Sequence, residues 1–174
     1  DEFIPQSQGG KLPDELYDII TSPEKQKKLV ILINPPYAEA ANPKTKTGTG
    51  SNKTGVSNTN KLHEELKSVI GKAANELFAS FMARIYINMP NSKIAVFSTP
   101  KFIQGSNFNK FRYLFKAKYL GGFVVPAYTF DHVSGKFPIT FTIWDCVNKE
   151  YFKDIICDVY DENANLIGQK CFHA

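Results

Sequence analysis

The sequence predicts an α/β fold in which a largely parallel sheet ends in antiparallel strands. Short apolar runs alternate with stretches whose apolar residues recur at helical spacing, and this alternation is typical of a sheet with helices packed on it. The predicted strands are 29–33, 93–98, 123–125 and 139–144, and the predicted helices are 12–21, 61–85 and 107–119. Residues 151–160 and 165–172 follow as a predicted hairpin, with a turn at 161–163.

Individual segments support this division of the chain. The run 29–33 is continuously apolar, so we expect a buried strand, and Pro13 suits the first turn of the first helix. Residues 38–60 are rich in Asn, Lys, Thr, Gly and Ser without a periodic apolar set, which predicts a long mobile loop. The expected organisation is a helical lead-in (1–27), a main α/β unit (28–146) and a C-terminal β-hairpin (147–174).

Composition narrows the class of protein but does not identify a partner. The chain has 174 residues and a formal net charge of +4, which permits nucleic-acid binding without requiring it. Its three cysteines, Cys146, Cys157 and Cys171, lack the Cys-x-x-Cys spacing, so we interpret them as reduced thiols. No apolar run approaches the roughly 20 residues of a membrane helix, and no secretory signal is visible. We therefore expect a cytoplasmic protein.

The most informative segment is Asn34-Pro35-Pro36-Tyr37, which directly follows the first predicted strand. In open α/β sheets, ligands bind beyond the carboxyl ends of the strands. Two prolines fix the backbone and remove two N–H donors. The Asn34 amide and the carbonyl of Pro35 can then accept hydrogen bonds from an amino group, and Tyr37 adds a flat ring. This combination suits a planar ring that carries an exocyclic amine.

The motif resembles the catalytic motif of amino-group methyltransferases that use S-adenosylmethionine, above all the adenine-N6 DNA methyltransferases of restriction–modification systems. Later segments resemble the family in the same order, across roughly residues 28–146: the helix after the catalytic loop (74–81), the next strand and its exit (92–100), the following helix (107–115) and the final hairpin (122–145). The resemblance implies part of a Rossmann-like methyltransferase sheet, S-adenosylmethionine as cofactor, DNA as partner and no metal. The target adenine would be flipped out of the duplex.

The resemblance also implies roles for particular residues. Asn34, Pro35 and Tyr37 would be catalytic, because acceptors on the amine hydrogens localise its lone pair for direct attack on the methyl group. Pro36 would contact the substrate. The family places a second aromatic side chain in the loop between the last two strands, where Phe130 fits best and Phe137 competes. Either ring is equally suited to a place in the core.

Two features of the family have no counterpart in this sequence. These are a glycine-rich loop after a first strand and an acidic residue after a second strand, which together hold the cofactor. Asp1 and Phe3 faintly resemble the family's motif for the cofactor's adenine. The resemblance therefore implies the catalytic half of a longer or two-chain enzyme, with the N-terminal half missing.

Basic residues offer a further hypothesis about nucleic acid. Lys44, Lys46 and Lys53 lie among glycines and small hydroxyl residues, where lysines and free N–H groups can hold phosphate, although a solvated loop explains them equally well. The segment 101–119 interleaves aromatic and basic residues, and we interpret its aromatic residues as core. His63-Glu64-Glu65 lacks the His-Glu-x-x-His spacing, so the sequence predicts no metal site.

Two other functional classes stay open at this stage. The same motif is found in enzymes that methylate an RNA adenine or a protein glutamine. A non-catalytic module that binds DNA or a partner chain through an unpaired strand is the other alternative.

Overall fold

The computed structural model describes residues 3–35, 61–130, 135 and 137–174, and the predicted loop 38–60 lies outside them. Within these residues, six strands form one sheet in the order β1-β2-β4-β3-β5-β6. The strands are β1 (Val30–Ile33), β2 (Lys93–Ser98), β3 (Ala117–Pro126), β4 (Pro138–Lys149), β5 (Asp154–Tyr160) and β6 (Leu166–His173). The helices are α1 (Asp14–Thr21), α2 (Pro23–Gln26), α3 (Lys61–Ile70), α4 (Leu77–Asn88), α5 (Lys101–Gln104) and α6 (Asn109–Leu114).

The sheet is mixed, which confirms the α/β class, but the expectation of a largely parallel sheet is wrong, since three of the five strand pairings in the described sheet are antiparallel. β1 pairs with β2 in parallel, and β3 pairs with β5 in parallel. β4 lies between β2 and β3 and is antiparallel to both. The predicted C-terminal hairpin forms as β5 and β6, and it continues the same sheet because β5 joins β3.

The expectation that the first strand is buried is wrong. Val30 and Leu32 are 59% and 67% exposed, whereas Ile31 and Ile33 pack against the core. The reason is the position of β1 at the edge of the described sheet, where helices of the described chain cover only one of its faces. A uniformly apolar run does not reveal this, since both faces of the strand carry aliphatic side chains.

The main core lies between the sheet and helices α3, α4, α5 and α6, and it is strongly aromatic. Trp144 of β4 is fully buried, and its ring packs at 5.3 Å from Phe115 and 5.9 Å from Phe102. Its indole N–H donates a hydrogen bond of 2.8 Å to Thr142 Oγ1, so the buried polar atom is satisfied. This core anchors β2 and β4, the strands that flank the candidate site.

The predicted helix 107–119 is too long at its carboxyl end. Helix α6 ends at Leu114, Phe115 has left the helical conformation, and β3 begins at Ala117. Phe115 is fully buried and stacks on Phe111 at 5.2 Å, so tertiary packing turns the chain at this point. The interpretation of the aromatic residues as core is confirmed for Phe108, Phe111 and Phe115, but Tyr113 is 72% exposed.

The cysteines are unpaired thiols in the structure. Cys146 and Cys157 are buried, and burial raises the pKa of Cys146 to about 12, so this thiol stays protonated at neutral pH. Among the described helices, none combines the length and the apolar character that crossing a membrane requires.

Candidate functional site

Asn34 and Pro35 lie where β1 ends, as the sequence predicts. Asn34 is exposed and Pro35 is buried. The proline ring restricts the backbone of this turn. Ile33 pairs with Val96 in the parallel ladder, and the register continued by one residue brings Asn34 level with Phe97 of β2. Pro36 and Tyr37 lie outside the described residues, so their roles remain predictions.

Phe97 is the centre of a small aromatic cluster at this end of the sheet. Its ring lies 4.7 Å from the ring of Phe141 and 5.6 Å from the ring of Phe130, the latter edge-on at 82°. Phe130 is half-buried. The structure therefore brings Phe130 against the strand that neighbours Asn34, although the two residues are almost a hundred positions apart in the sequence.

The backbone that carries Phe130 is held by local hydrogen bonds. Ala127–Thr129 form a turn of 3-10 helix directly after β3, and the Phe130 N–H donates to the Ala127 carbonyl at 3.1 Å. The Ala127 N–H donates to the Phe137 carbonyl at 2.9 Å, which closes the connection between β3 and β4. These bonds fix the start and the end of a loop whose residues 131–134 lie outside the described part of the chain.

Phe137, the other aromatic candidate, borders a groove whose lining does not include Phe130. The groove, of about 640 Å³, lies at the ends of β3 and β5 and is also lined by Tyr128, Tyr160 and the carboxylate-bearing Asp161 and Glu162. The Tyr128 hydroxyl donates to Glu162 at 3.0 Å, and this bond raises the pKa of Tyr128. Two carboxylates beside the groove disfavour a phosphate backbone there. Phe137 thus lies beside two carboxylates, whereas Phe130 packs on Phe97 of β2.

Thr99 is a residue of this edge that sequence reasoning left without a role. It follows β2, and its hydroxyl oxygen is buried and has no hydrogen-bond partner among the described residues. Buried hydroxyl groups are usually satisfied, so this one is a candidate contact for a bound group. In the sequence, the feature that points to Thr99 is a hydroxyl side chain between a predicted strand and Pro100.

The residues predicted to contact the cofactor lie in an N-terminal loop. Phe3 is half-buried, and Asp1 lies outside the described residues. The loop closes on itself, because the Gln6 N–H donates to Leu12 O at 2.8 Å and the Leu12 N–H donates to Ile4 O at 3.3 Å. The roles of Asp1 and Phe3 at a cofactor therefore remain predictions.

The described residues do not by themselves fit a complete site for S-adenosylmethionine. The turn from β2 to α5 is formed by Thr99 and Pro100, without a glycine that would let the backbone approach a ligand closely. Asn34 and Pro35 follow β1 and Thr99 follows β2, so their polar groups lie at the same end of the sheet.

Two basic residues of the 101–119 segment, Lys101 and Arg112, have structural partners. The Arg112 guanidinium donates to the carbonyls of Phe102 and Gly105 at 3.0 Å each and also bonds Asn109. Partial burial lowers the pKa of Arg112. Lys101 Nζ lies 2.9 Å from a carboxylate oxygen of Glu76, the residue before α4. The predicted phosphate-binding residues Lys44, Lys46 and Lys53 lie outside the described residues.

Comparison with known proteins gives little beyond the fold. No protein-family model matches the sequence, and no curated protein matches it. Among solved structures, the chain is similar to part of the Type IIL restriction-modification enzyme MmeI, determined in complex with DNA, with a TM-score of 0.47 and 18% sequence identity. The match covers 86% of this chain and 19% of that chain. At this identity and score, the likeness concerns only an approximate arrangement of helices and strands.

Proposed function

We propose that this chain is the target-binding half of a DNA adenine-N6 methyltransferase of the restriction–modification type. The observation that carries the proposal is the turn after β1. An exposed Asn34 precedes a buried Pro35 there, one strand away from the Phe97 ring on which Phe130 packs. Acceptors for an amine and an aromatic ring for a base therefore occur at the same end of the sheet.

The chemistry of the turn fits an amine attached to an aromatic ring. The N6 amine of adenine is a poor nucleophile because its lone pair is delocalised into the ring. The Asn34 side-chain oxygen and the Pro35 carbonyl would accept its two hydrogens and draw the nitrogen toward tetrahedral geometry. Most of the rate enhancement assigned to these residues is orientation and preorganised polarity. S-adenosylmethionine would supply the methyl group.

Recognition of the base would depend on stacking. Extruding an adenine from a duplex costs a few kcal/mol, and stacking on an aromatic side chain returns about 1–3 kcal/mol per base. Phe130 is only half-buried, so part of its ring remains available to a ligand. Tyr37, whose position lies outside the described residues, would provide the opposite face of the base.

Replacement of Asn34 by alanine in the intact protein tests the proposal. We expect methyl transfer from labelled S-adenosylmethionine to duplex DNA to fall by at least about 10²-fold, as when one preorganised polar group of an active site is removed. DNA affinity should be nearly unchanged, because most of that affinity comes from phosphate contacts. Asn163→Ala is the matched control, since Asn163 is an exposed asparagine in the β5–β6 turn. Unaltered turnover in Asn34→Ala would refute the assigned role.

The chemical class of the target is tested in the same assay. The amide of a protein glutamine and the amine of an RNA adenine are also planar, so the turn chemistry extends to both. Phe130 favours a base over a glutamine side chain, because every base offers a face for stacking. Comparison of duplex DNA, single-stranded RNA and a glutamine-containing peptide as methyl acceptors distinguishes the three.

A second candidate function rests on the edge of the sheet. β1 is an edge strand of the described sheet, and Val30 and Leu32 expose aliphatic side chains there. Such an edge is a template for pairing with another chain. The mass of the purified protein in solution tests this function, because a stable dimer or an obligate partner favours a binding module or a two-chain enzyme.

A further inference from the structure

Three potential metal ligands converge on one face of the terminal hairpin. Asp154 of β5 and His173 of β6 are direct partners in the antiparallel ladder, and Asp154 Oδ1 lies 2.6 Å from His173 Nδ1. Cys171 lies two residues before His173, so it shares the same face of the strand. One ligand atom from each of the three residues lies within 4.8 Å of the other two.

The three donor atoms form a set that suits a zinc ion. Zn²⁺ binds cysteine sulfur at about 2.3 Å and histidine nitrogen or carboxylate oxygen at about 2.0–2.2 Å, usually with four tetrahedral ligands. Ligand atoms around one such ion lie about 3–4 Å apart, so small side-chain rotations suffice to bring these three onto it. The thiolate and the carboxylate together would neutralise the charge of the ion.

The backbone behind the cluster is held in place by the core. Ile155 and Phe172 point to the opposite face from the cluster, pair with each other in the ladder and are 1% and 5% exposed. The Ala174 N–H donates to Lys153 O at 2.7 Å, which extends the pairing beyond the cluster. The three ligands therefore project from two strands whose separation and register are already fixed, as a preorganised site requires.

We propose that Asp154, Cys171 and His173 bind a Zn²⁺ ion, with the fourth position open to solvent. The side chains of Asp154 and His173 are 57% and 73% exposed, so a metal ion can reach the site without local unfolding. The hairpin lies at the opposite edge of the sheet from β1. The metal would join β5 to β6 and would take no part in the chemistry proposed at Asn34. The site is not apparent from the sequence, because only the register of the hairpin brings Asp154 beside Cys171 and His173.

Titration of the tag-free, chelator-treated protein with Co²⁺ tests the proposal. A cobalt–thiolate charge-transfer band and the strong visible absorption of tetrahedral Co²⁺ should appear with one equivalent and disappear when Zn²⁺ is added. The band should be lost in Cys171→Ser, although Cys146 and Cys157 remain. Asp154→Asn and His173→Gln should weaken binding at least about tenfold. Both replaced side chains are exposed, so the fold should survive, and circular dichroism checks it.

Asp158→Asn is the matched control for these variants. Asp158 lies on the same face of β5, where its carboxylate accepts a hydrogen bond of 2.9 Å from Gln169. It belongs to a cross-strand pair without cysteine or histidine, so its replacement should leave the cobalt spectrum unchanged. Absence of the band in the wild-type protein, or its persistence in Cys171→Ser, would overturn the proposal.

Discussion

Replacement of Phe130 by alanine is the most direct test of how this chain would hold a base. Phe130 is the one aromatic candidate in the β3–β4 connection that packs on Phe97, beside the strand that neighbours Asn34. The substitution removes the ring but leaves the Phe130 N–H and its bond to Ala127 in place. The backbone conformation at the beginning of the β3–β4 connection should therefore be unchanged.

The expected magnitude follows from two separate contributions. Loss of the edge-on contact with Phe97 costs about 0.5–1.5 kcal/mol of folding free energy in addition to the apolar area that the half-buried ring no longer buries, and a domain of ordinary stability tolerates this loss. Loss of one base–aromatic stack costs about 1–3 kcal/mol of binding free energy. The affinity for an extruded base should therefore fall by about 5- to 150-fold.

The assay compares two fluorescently labelled duplexes by anisotropy. One carries a single unpaired adenine, and the other is fully paired. Phe130→Ala should weaken binding of the first duplex by the stated factor and leave binding of the second nearly unchanged. Phe130→Leu keeps much of the side-chain volume without the π-face, so it separates stacking from packing.

Phe137→Ala is the matched control, since Phe137 belongs to the same connection and is 36% exposed. The structure associates it with a groove bordered by Asp161 and Glu162, and we expect no effect on the unpaired adenine. Loss of affinity in Phe137→Ala alone would show that the two residues have been assigned the wrong way round. No effect in either variant would refute stacking by this connection.

Two further predictions concern stability. Burial alone would raise the pKa of Asp145, but hydrogen bonds from the Asn148 side chain and the neighbouring backbone lower it below 3.8. The ionised carboxylate therefore stabilises the fold above its unfolded pKa, and this contribution is lost as the pH falls through the lower folded pKa. Asp145→Asn should cost about 1–2 kcal/mol in urea unfolding at pH 7 and progressively less below about pH 4, and an equal cost at pH 3 would contradict the assignment. Arg112→Lys should cost about 1–2 kcal/mol by the same measurement, because the guanidinium holds the carbonyls of Phe102 and Gly105 through one nitrogen and Asn109 through a second, and lysine has only one nitrogen; an unchanged unfolding midpoint would argue against this clamp.

Patterns of apolar and turn-forming residues within short sequence windows predicted much of the secondary structure. The strand at 93–98 matches β2 residue for residue, and the turn at 161–163 falls between β5 and β6 as expected. The carboxylate of Asp161 accepts hydrogen bonds from the N–H groups of Asn163 and Asn165 at 2.9 and 2.8 Å. A turn of this kind is closed by side chains only a few residues away, so its signal is local and readable.

The predictions from the sequence were wrong where contacts between residues far apart in the chain determined the local structure. Phe115 leaves the helical conformation to bury its ring against Trp144, which lies 29 positions later in the sequence. β1 carries the apolar composition of a central strand yet exposes Val30 and Leu32, because strand order is set by pairings between distant segments. Neither fact is encoded in the window of residues from which a periodicity is read.

For the candidate sites, the residue types and the turn after β1 were determined by the sequence alone. An apolar run followed by two prolines marks the end of a strand, so the place of Asn34 at the carboxyl end of β1 could be predicted. Only the tertiary structure decided that Phe130 packs on Phe97 of β2, whereas Phe137 lines a groove bordered by Asp161 and Glu162. The tertiary structure also brings Asp154 close to Cys171 and His173. The physical reason is that local dihedral preferences act between neighbours in the chain. Convergence of side chains on one site depends on strand order and register, which the whole core determines.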